Sequence, residues 1–329
     1  MDSSVLQKAE ARLKDLYGED VPPKVRERVE IEMEWFRTHF GLALVEDVIA
    51  FLKEEQKQGA YIVPRLWTAS SFLLYLLGVN SVNPLSLGER GFDLDFIFFQ
   101  DALERPTLNL NYMGEEKERY DGLRLEFFPS PKAKKLLQCA SNLGLNQEDI
   151  ETDVDSATLV KILDYIKKRD ANVNDGLGVL PMLPNPLFVE LVRLYGVLDI
   201  NALAELAASM HGIWVIEAAG LFSDMGVLPL GFALSRESLQ RVLMEKGLDS
   251  VSAYGIIKEL CRNYDGHLSR GSEEKLGSLG VEQGFIDALK GIRYLFFKGN
   301  EVAELRLELR IAEKILFDET GGFESGLKK

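Results

Sequence analysis

Apolar residues recur at three- and four-residue intervals through most of this 329-residue chain, which is the spacing of amphipathic helices. Near the start the apolar face returns at Val5, Ala9 and Leu13, and Gly18 can end the helix. The same spacing predicts helices over residues 24–39, 45–57, 68–77, 130–144, 156–168, 187–195, 202–210, 235–246, 251–263 and 283–295. Residues 301–317 also alternate like a strand, but their length and their Ala, Glu, Leu and Arg content favour a helix.

Alternating apolar and polar residues predict short strands at 60–63, 92–99, 107–113 and 123–128. The clearest alternation is "RPTLNLNYMGE" at 105–115. Its apolar face consists of Leu108, Leu110 and Tyr112, and its polar face of Thr107, Asn109 and Asn111. The apolar face suits a core, whereas the polar face presents uncharged groups at the spacing where metal-using enzymes present carboxylates.

Helices before and after a few short strands indicate an α+β fold that is mainly helical. The stretch at 170–186 is the richest in Gly and Pro, so we expect a hinge between subdomains there. The predicted organisation is a first domain at 1–180 that holds the strands, a helical domain at 181–317 and a C-terminal tail at 318–329.

The composition is that of a soluble globular protein, with 46% hydrophobic and 27% charged residues. We expect no membrane partner, because no apolar run approaches the roughly 20 residues of a membrane span. The first residues do not resemble a signal peptide, and two cysteines suit a reducing compartment, so the prediction is a cytoplasmic protein. The net charge of −14 disfavours nucleic acid as a partner, although Lys132, Lys134 and Lys135, or residues 167–169, could form a local basic patch.

Five blocks of the sequence occur in an order that resembles the palm and fingers of the C-family bacterial replicative DNA polymerase, the PolC type most closely. These blocks are "YIVPRLWTASSFLLYLLGVNSVNPL" (61–85), "PTLNLNYMGE" (106–115), "LRLEFFPSPKAKKLLQCASNLGL" (123–145), "ELVRLYGVLDI" (190–200) and "IRYLFFKGNEVAE" (292–304). The resemblance runs from about residue 10 to about residue 317 and implies a palm-like sheet followed by a helical, fingers-like domain. The family's exonuclease, clamp-binding and OB-type segments have no counterpart here.

In that family, paired aspartates on one strand and a third acid on a neighbouring strand hold two divalent ions for nucleotidyl transfer. Carried over by position, the aspartates become Thr107 and Asn109, and the third acid becomes Glu126. A hydroxyl and an amide are neutral, and one carboxylate cannot offset the charge of two divalent ions. The resemblance therefore implies that the catalytic acids are not intact, and we expect no cofactor.

The family's glycine- and serine-rich phosphate loop corresponds to "VPRLWTASS" (63–71), which keeps Arg65, Ser70 and Ser71 but not the glycines. In the fingers the family's lysine remains as Lys298. These four residues are the candidate nucleotide-binding positions, and they form a weak set because the glycines that allow close approach of backbone to phosphate are missing.

The leading prediction is a catalytically inactive relative of this polymerase that serves as an interaction, regulatory or structural module, linked to DNA replication or repair, with an unidentified protein partner. One alternative is a nucleotidyltransferase that uses Asp93, Asp95 and Glu126 to hold Mg²⁺, since "GFDLDFIFF" carries an Asp-x-Asp pair. Another alternative is a DNA-binding module without catalysis.

Overall fold

The computed structural model describes residues 3–86, 106–113, 121–127, 131–169, 173, 175–196, 199–210, 235–261, 268–292 and 294–317. The described part is mainly helical, with one small sheet, which confirms the predicted α+β class. The predicted strand at 92–99 and the tail at 318–329 lie outside the described residues. Within the described residues, every helix is too short or too polar to cross a membrane.

The helices of the N-terminal half are α1 (Ser3–Tyr17), α2 (Pro23–Trp35), α3 (Leu42–Lys57) and α4 (Phe72–Leu76). The helices that follow the sheet are α5 (Pro131–Asn142), α6 (Gln147–Glu151), α7 (Ser156–Lys168), α8 (Pro186–Tyr195), α9 (Ile200–Met210), α10 (Arg236–Glu245), α11 (Ser250–Cys261), α12 (Arg270–Ser278), α13 (Gln283–Gly291) and α14 (Lys298–Phe317). The helical assignment of 301–317, which the alternation left ambiguous, is thereby confirmed.

Three predicted helices differ from the structure in detail, and one of them, predicted at 283–295, ends at Gly291 because Ile292 is extended. The helix predicted at 24–39 is α-helical only to Trp35 and then continues as a π-helical turn, Phe36–Phe40, before Gly41 at φ +93°. The helix predicted at 68–77 is divided into a 3₁₀ segment, Leu66–Ser70, and α4. The division arises at Ser71, whose extended backbone and side chain form the N-cap of α4.

The sheet consists of β1 (Tyr61–Pro64), β2 (Leu108–Met113) and β3 (Leu125–Phe127), in that spatial order. β1 pairs with β2 antiparallel, and β2 pairs with β3 parallel, in a register that sets Asn109 opposite Glu126. The strand predicted at 123–128 is shorter in the structure because Arg124 adopts φ +50°, which is not an extended conformation.

Two apolar cores lie on opposite faces of this sheet. The N-terminal core joins α1–α4 to the face that carries Ile62, Leu108 and Leu110. The C-terminal core joins the helices after the sheet to Tyr61 and Val63 on the other face. The two cores meet at the sheet. Buried residues before and after position 180 belong to the same C-terminal core. The domain division at 180/181 remains a prediction.

Candidate functional site

The polar face of β2 meets β3 in a small hydrogen-bonded cluster. Thr107 Oγ1 donates to Glu126 Oε2 over 3.1 Å, and Asn109 Nδ2 donates to the same oxygen over 3.0 Å. The parallel register brings these groups together, so the three positions that the resemblance assigns to catalytic acids do converge in space. Two of them act as donors to the third, and this is the reverse of a metal site, in which all three would present lone pairs to a cation.

Asn111 continues the polar face toward the interior. Its side chain is 1% exposed, and neither its amide nitrogen nor its amide oxygen has a hydrogen-bond partner among the described residues. Asn109 is tied to the preceding loop instead, since its N–H donates to Thr68 Oγ1 and its carbonyl accepts from Arg65 N. The strand that carries the candidate acid positions is therefore fastened to the segment that carries the candidate phosphate loop.

A carboxylate accepts hydrogen bonds from the backbone N–H groups at the start of α4, the helix that follows that loop. Glu32 of α2 is fully buried and accepts from Phe72 N over 3.1 Å, Leu73 N over 2.9 Å and Ser71 Oγ over 2.7 Å. Arg28 Nε, one helical turn earlier, donates to Glu32 Oε1, which also accepts from Phe72 N. This set of backbone N–H groups, a hydroxyl and a guanidinium is of the kind that binds phosphate in other proteins, and here it is satisfied internally.

The segment before α4 contains a non-glycine residue in the left-handed backbone conformation that glycine usually adopts. Leu66 adopts φ +50°, a left-handed conformation that costs a leucine about 1 kcal/mol. Its N–H donates to Asn300 Oδ1 of α14 over 3.4 Å. Gly299 packs so closely that a Cβ there would lie 2.8 Å from the carbonyl oxygen of Ala69. The start of α14 thus packs directly against the candidate phosphate loop.

A buried polar cluster joins this loop to three of the C-terminal helices, and we call it the seam. Its members are Ser70, Glu205, Ser235, Glu237, Ser238 and Lys298. Ser70 Oγ donates to Glu237 Oε1 over 3.4 Å, and Lys298 N donates to Glu237 Oε2 over 2.9 Å. Lys298 Nζ lies 3.2 Å from Glu205 Oε1, which also accepts from the hydroxyls of Ser235 and Ser238.

The electrostatics of the seam are unbalanced, because two carboxyl groups share one ammonium group. Burial, with a smaller contribution from the neighbouring Glu205, raises the pKa of Glu237 to about 7, against the lowering effects of hydrogen bonds from backbone N–H groups and of Lys298. Glu205 Oε2 is buried without a hydrogen-bond partner among the described residues. Lys298 is therefore committed to an internal ion pair.

The four candidate nucleotide-binding residues have distinct positions in the structure. Ser70, Ser71 and Lys298 are buried and have acidic partners within the protein. Arg65 is half-buried at the end of β1. The alternative metal set of Asp93, Asp95 and Glu126 stays a prediction, since Asp93 and Asp95 lie outside the described residues. Over the ranges that are described, no three His, Cys, Asp or Glu side chains are grouped as a metal site would require.

Sequence reasoning missed the buried acids Glu32, Glu205 and Glu237. A signal for Glu32 was present, because Arg28 and Glu32 fall on the same helical stripe as Val25 and Val29, where a charged pair is unexpected unless it is buried. Glu205 is likewise a lone acid in the apolar helix "INALAELAASM". Nothing in the sequence indicated which donors these carboxylates would meet.

Comparison of the sequence with protein-family models and with curated proteins found no match. The relationship to C-family polymerases therefore remains a prediction. The structure gives the positions and contacts of the described residues that this prediction names.

Proposed function

We propose that this protein is a catalytically inactive relative of the C-family polymerase that acts as an interaction or structural module, linked to DNA replication or repair. The observation that carries the proposal is the Glu32 carboxylate at the start of α4. It satisfies the donors that a phosphate loop would offer to a nucleotide, and it is covalently part of the chain. A triphosphate would have to displace the Glu32 carboxylate from its buried ion pair with Arg28. Breaking a buried ion pair is costly, because the charges lose their partners in a site that excludes water.

The strand face supports the same proposal. Its single carboxylate, Glu126, accepts hydrogen bonds from Thr107 and Asn109, so the residues present do not fit a pair of divalent ions. Lys298 supports it as well, since its ammonium group is paired with Glu205 rather than presented to solvent. Glu126, Ser70, Ser71 and Lys298 thus have partners within the protein, as an inactive relative would require.

The test begins with primer extension on a labelled primer–template, with all four deoxynucleotides and either Mg²⁺ or Mn²⁺, beside an active C-family polymerase as positive control. We expect no extension, and no rise in melting temperature on addition of nucleotide and metal. Extension that is lost in Glu126→Gln would overturn the proposal and favour the enzyme that uses Asp93, Asp95 and Glu126.

The interaction role is tested separately by affinity purification of the tagged protein from its native cells. A stoichiometric protein partner is the expected result. Binding of primed DNA that weakens steeply with salt, without such a partner, would instead favour the non-catalytic DNA-binding alternative. The net charge of −14 argues against that outcome.

A further inference from the structure

The seam connects parts of the chain that are far apart in sequence. Glu237 lies in the first turn of α10, and its two carboxyl oxygens accept from Ser70 of the 3₁₀ segment and from the backbone N–H of Lys298 at the start of α14. It is 3% exposed, so water cannot stabilise a charge on it. This one carboxyl group bridges the loop at 66–70 to two of the C-terminal helices.

Among the described residues, the charged groups near Glu237 give it no counter-charge of its own. From α9 it faces Glu205, and from α14 it faces Lys298, whose ammonium group is held by Glu205. Arg236 on the same helix turns away, with its Nε on the carbonyl of Leu295. On the side of the loop, Arg28 donates to the carbonyl of Ser70 and to Glu32.

We propose that Glu237 is a proton-controlled latch, which holds the loop at 66–70 against α10 and α14 when it is protonated and loosens that contact when it ionises. When Glu237 is neutral, the charged groups of the seam are the Lys298 ammonium and the Glu205 carboxylate, so the closed seam carries no net charge. Ionisation adds a second buried carboxylate beside Glu205, and opening of the seam to water relieves the repulsion. The latch does not depend on a relationship to polymerases.

The direction of the pH dependence follows from the pKa of Glu237, which is raised from its ordinary value of 4.5 to about 7 in the closed protein. The closed state then binds the proton more tightly than the open state. Closure is fully favoured below about pH 4.5 and weakens as the pH rises toward about 7. Between about pH 6 and about pH 8, one such proton raises the opening equilibrium constant about tenfold.

The experiment is hydrogen exchange followed by mass spectrometry on the full chain at about pH 6 and about pH 8, with rates corrected for intrinsic chemical exchange. In the wild type we expect exchange at residues 66–71 and at the Lys298 amide to rise about tenfold. In Glu237→Gln we expect no rise, because the amide is a neutral isostere whose oxygen accepts from Lys298 N and whose NH₂ group donates to Ser70. Glu245→Gln, an exposed acid on the same helix, should behave as the wild type.

Either of two results would overturn the latch: exchange in the wild type that does not change with pH, or an equal rise in Glu237→Gln. If Glu237→Gln does not fold, infrared titration of the wild type still decides the matter. A buried protonated carboxyl band that disappears with a midpoint near pH 7 supports the latch, and the absence of that band at about pH 6 overturns it.

Discussion

Glu32→Ala is the most informative perturbation of the candidate phosphate loop. The truncation removes a fully buried carboxylate that accepts from the N–H groups of Phe72 and Leu73 and from the hydroxyl of Ser71. It also leaves Arg28, whose side chain is about one tenth exposed, without its ion-pair partner. A small vacant space then remains among four donors at the start of α4.

The magnitude follows from those lost contacts. Removing one partner of a buried ion pair costs about 3–5 kcal/mol, since the remaining charge and the buried N–H groups lose their acceptor. Formate has the size of the deleted carboxylate, and its binding to the vacant space should return part of this loss. At a formate concentration ten times its dissociation constant, the recovery is about 1.4 kcal/mol.

Urea denaturation with and without sodium formate, at equal ionic strength with sodium chloride, measures both quantities. Glu34→Ala is the matched control, because Glu34 lies on the same helix in an exposed ion pair with Arg37, and its loss should change stability by less than about 0.5 kcal/mol. A loss below about 1 kcal/mol in Glu32→Ala would refute the account of Glu32 as a built-in anion. Equal stabilisation of the wild type by formate would refute the idea of a vacant site.

Two further substitutions test the packing of α14 and the strand face. Gly299→Ala should lower the free energy of unfolding by at least about 1 kcal/mol in urea denaturation, because its Cβ would lie 2.8 Å from the Ala69 carbonyl oxygen. Gly255→Ala in α11 is the control, since its Cβ would meet open space, and it should raise the free energy of unfolding by up to about 1 kcal/mol. Equal effects at both sites would contradict the close approach. Asn109→Asp should lose about 1–3 kcal/mol near neutral pH, because a carboxylate replaces the donor to Glu126. Most of that loss should vanish below about pH 4, the ordinary pKa range of an Asp side chain, where a shared proton restores the hydrogen bond. A loss independent of pH would contradict that geometry.

Much of the local structure was predictable from the sequence. The apolar spacing of Val5, Ala9 and Leu13 and the glycine at 18 predicted α1, because a single buried stripe at helical period has one consistent local solution. The alternation at 107–113 predicted β2 and both of its faces, since side chains alternate along any strand. Length and residue preference predicted the helix at 301–317, which lies within α14, even though its alternation was compatible with a strand.

The tertiary structure decided what the polar groups do. Local spacing carries no information on partners such as Glu32 and Phe72, which are 40 residues apart, or Glu237 and Lys298, which are 61 apart. A buried carboxylate must find donors wherever the fold supplies them, and the cost of leaving it unpaired makes those long-range contacts specific. The sequence by itself therefore determined most of the described helices, the three strands of the sheet and which face of β2 is polar, although it did not predict α12. Only their packing decided that the donors at the candidate phosphate loop are satisfied from within.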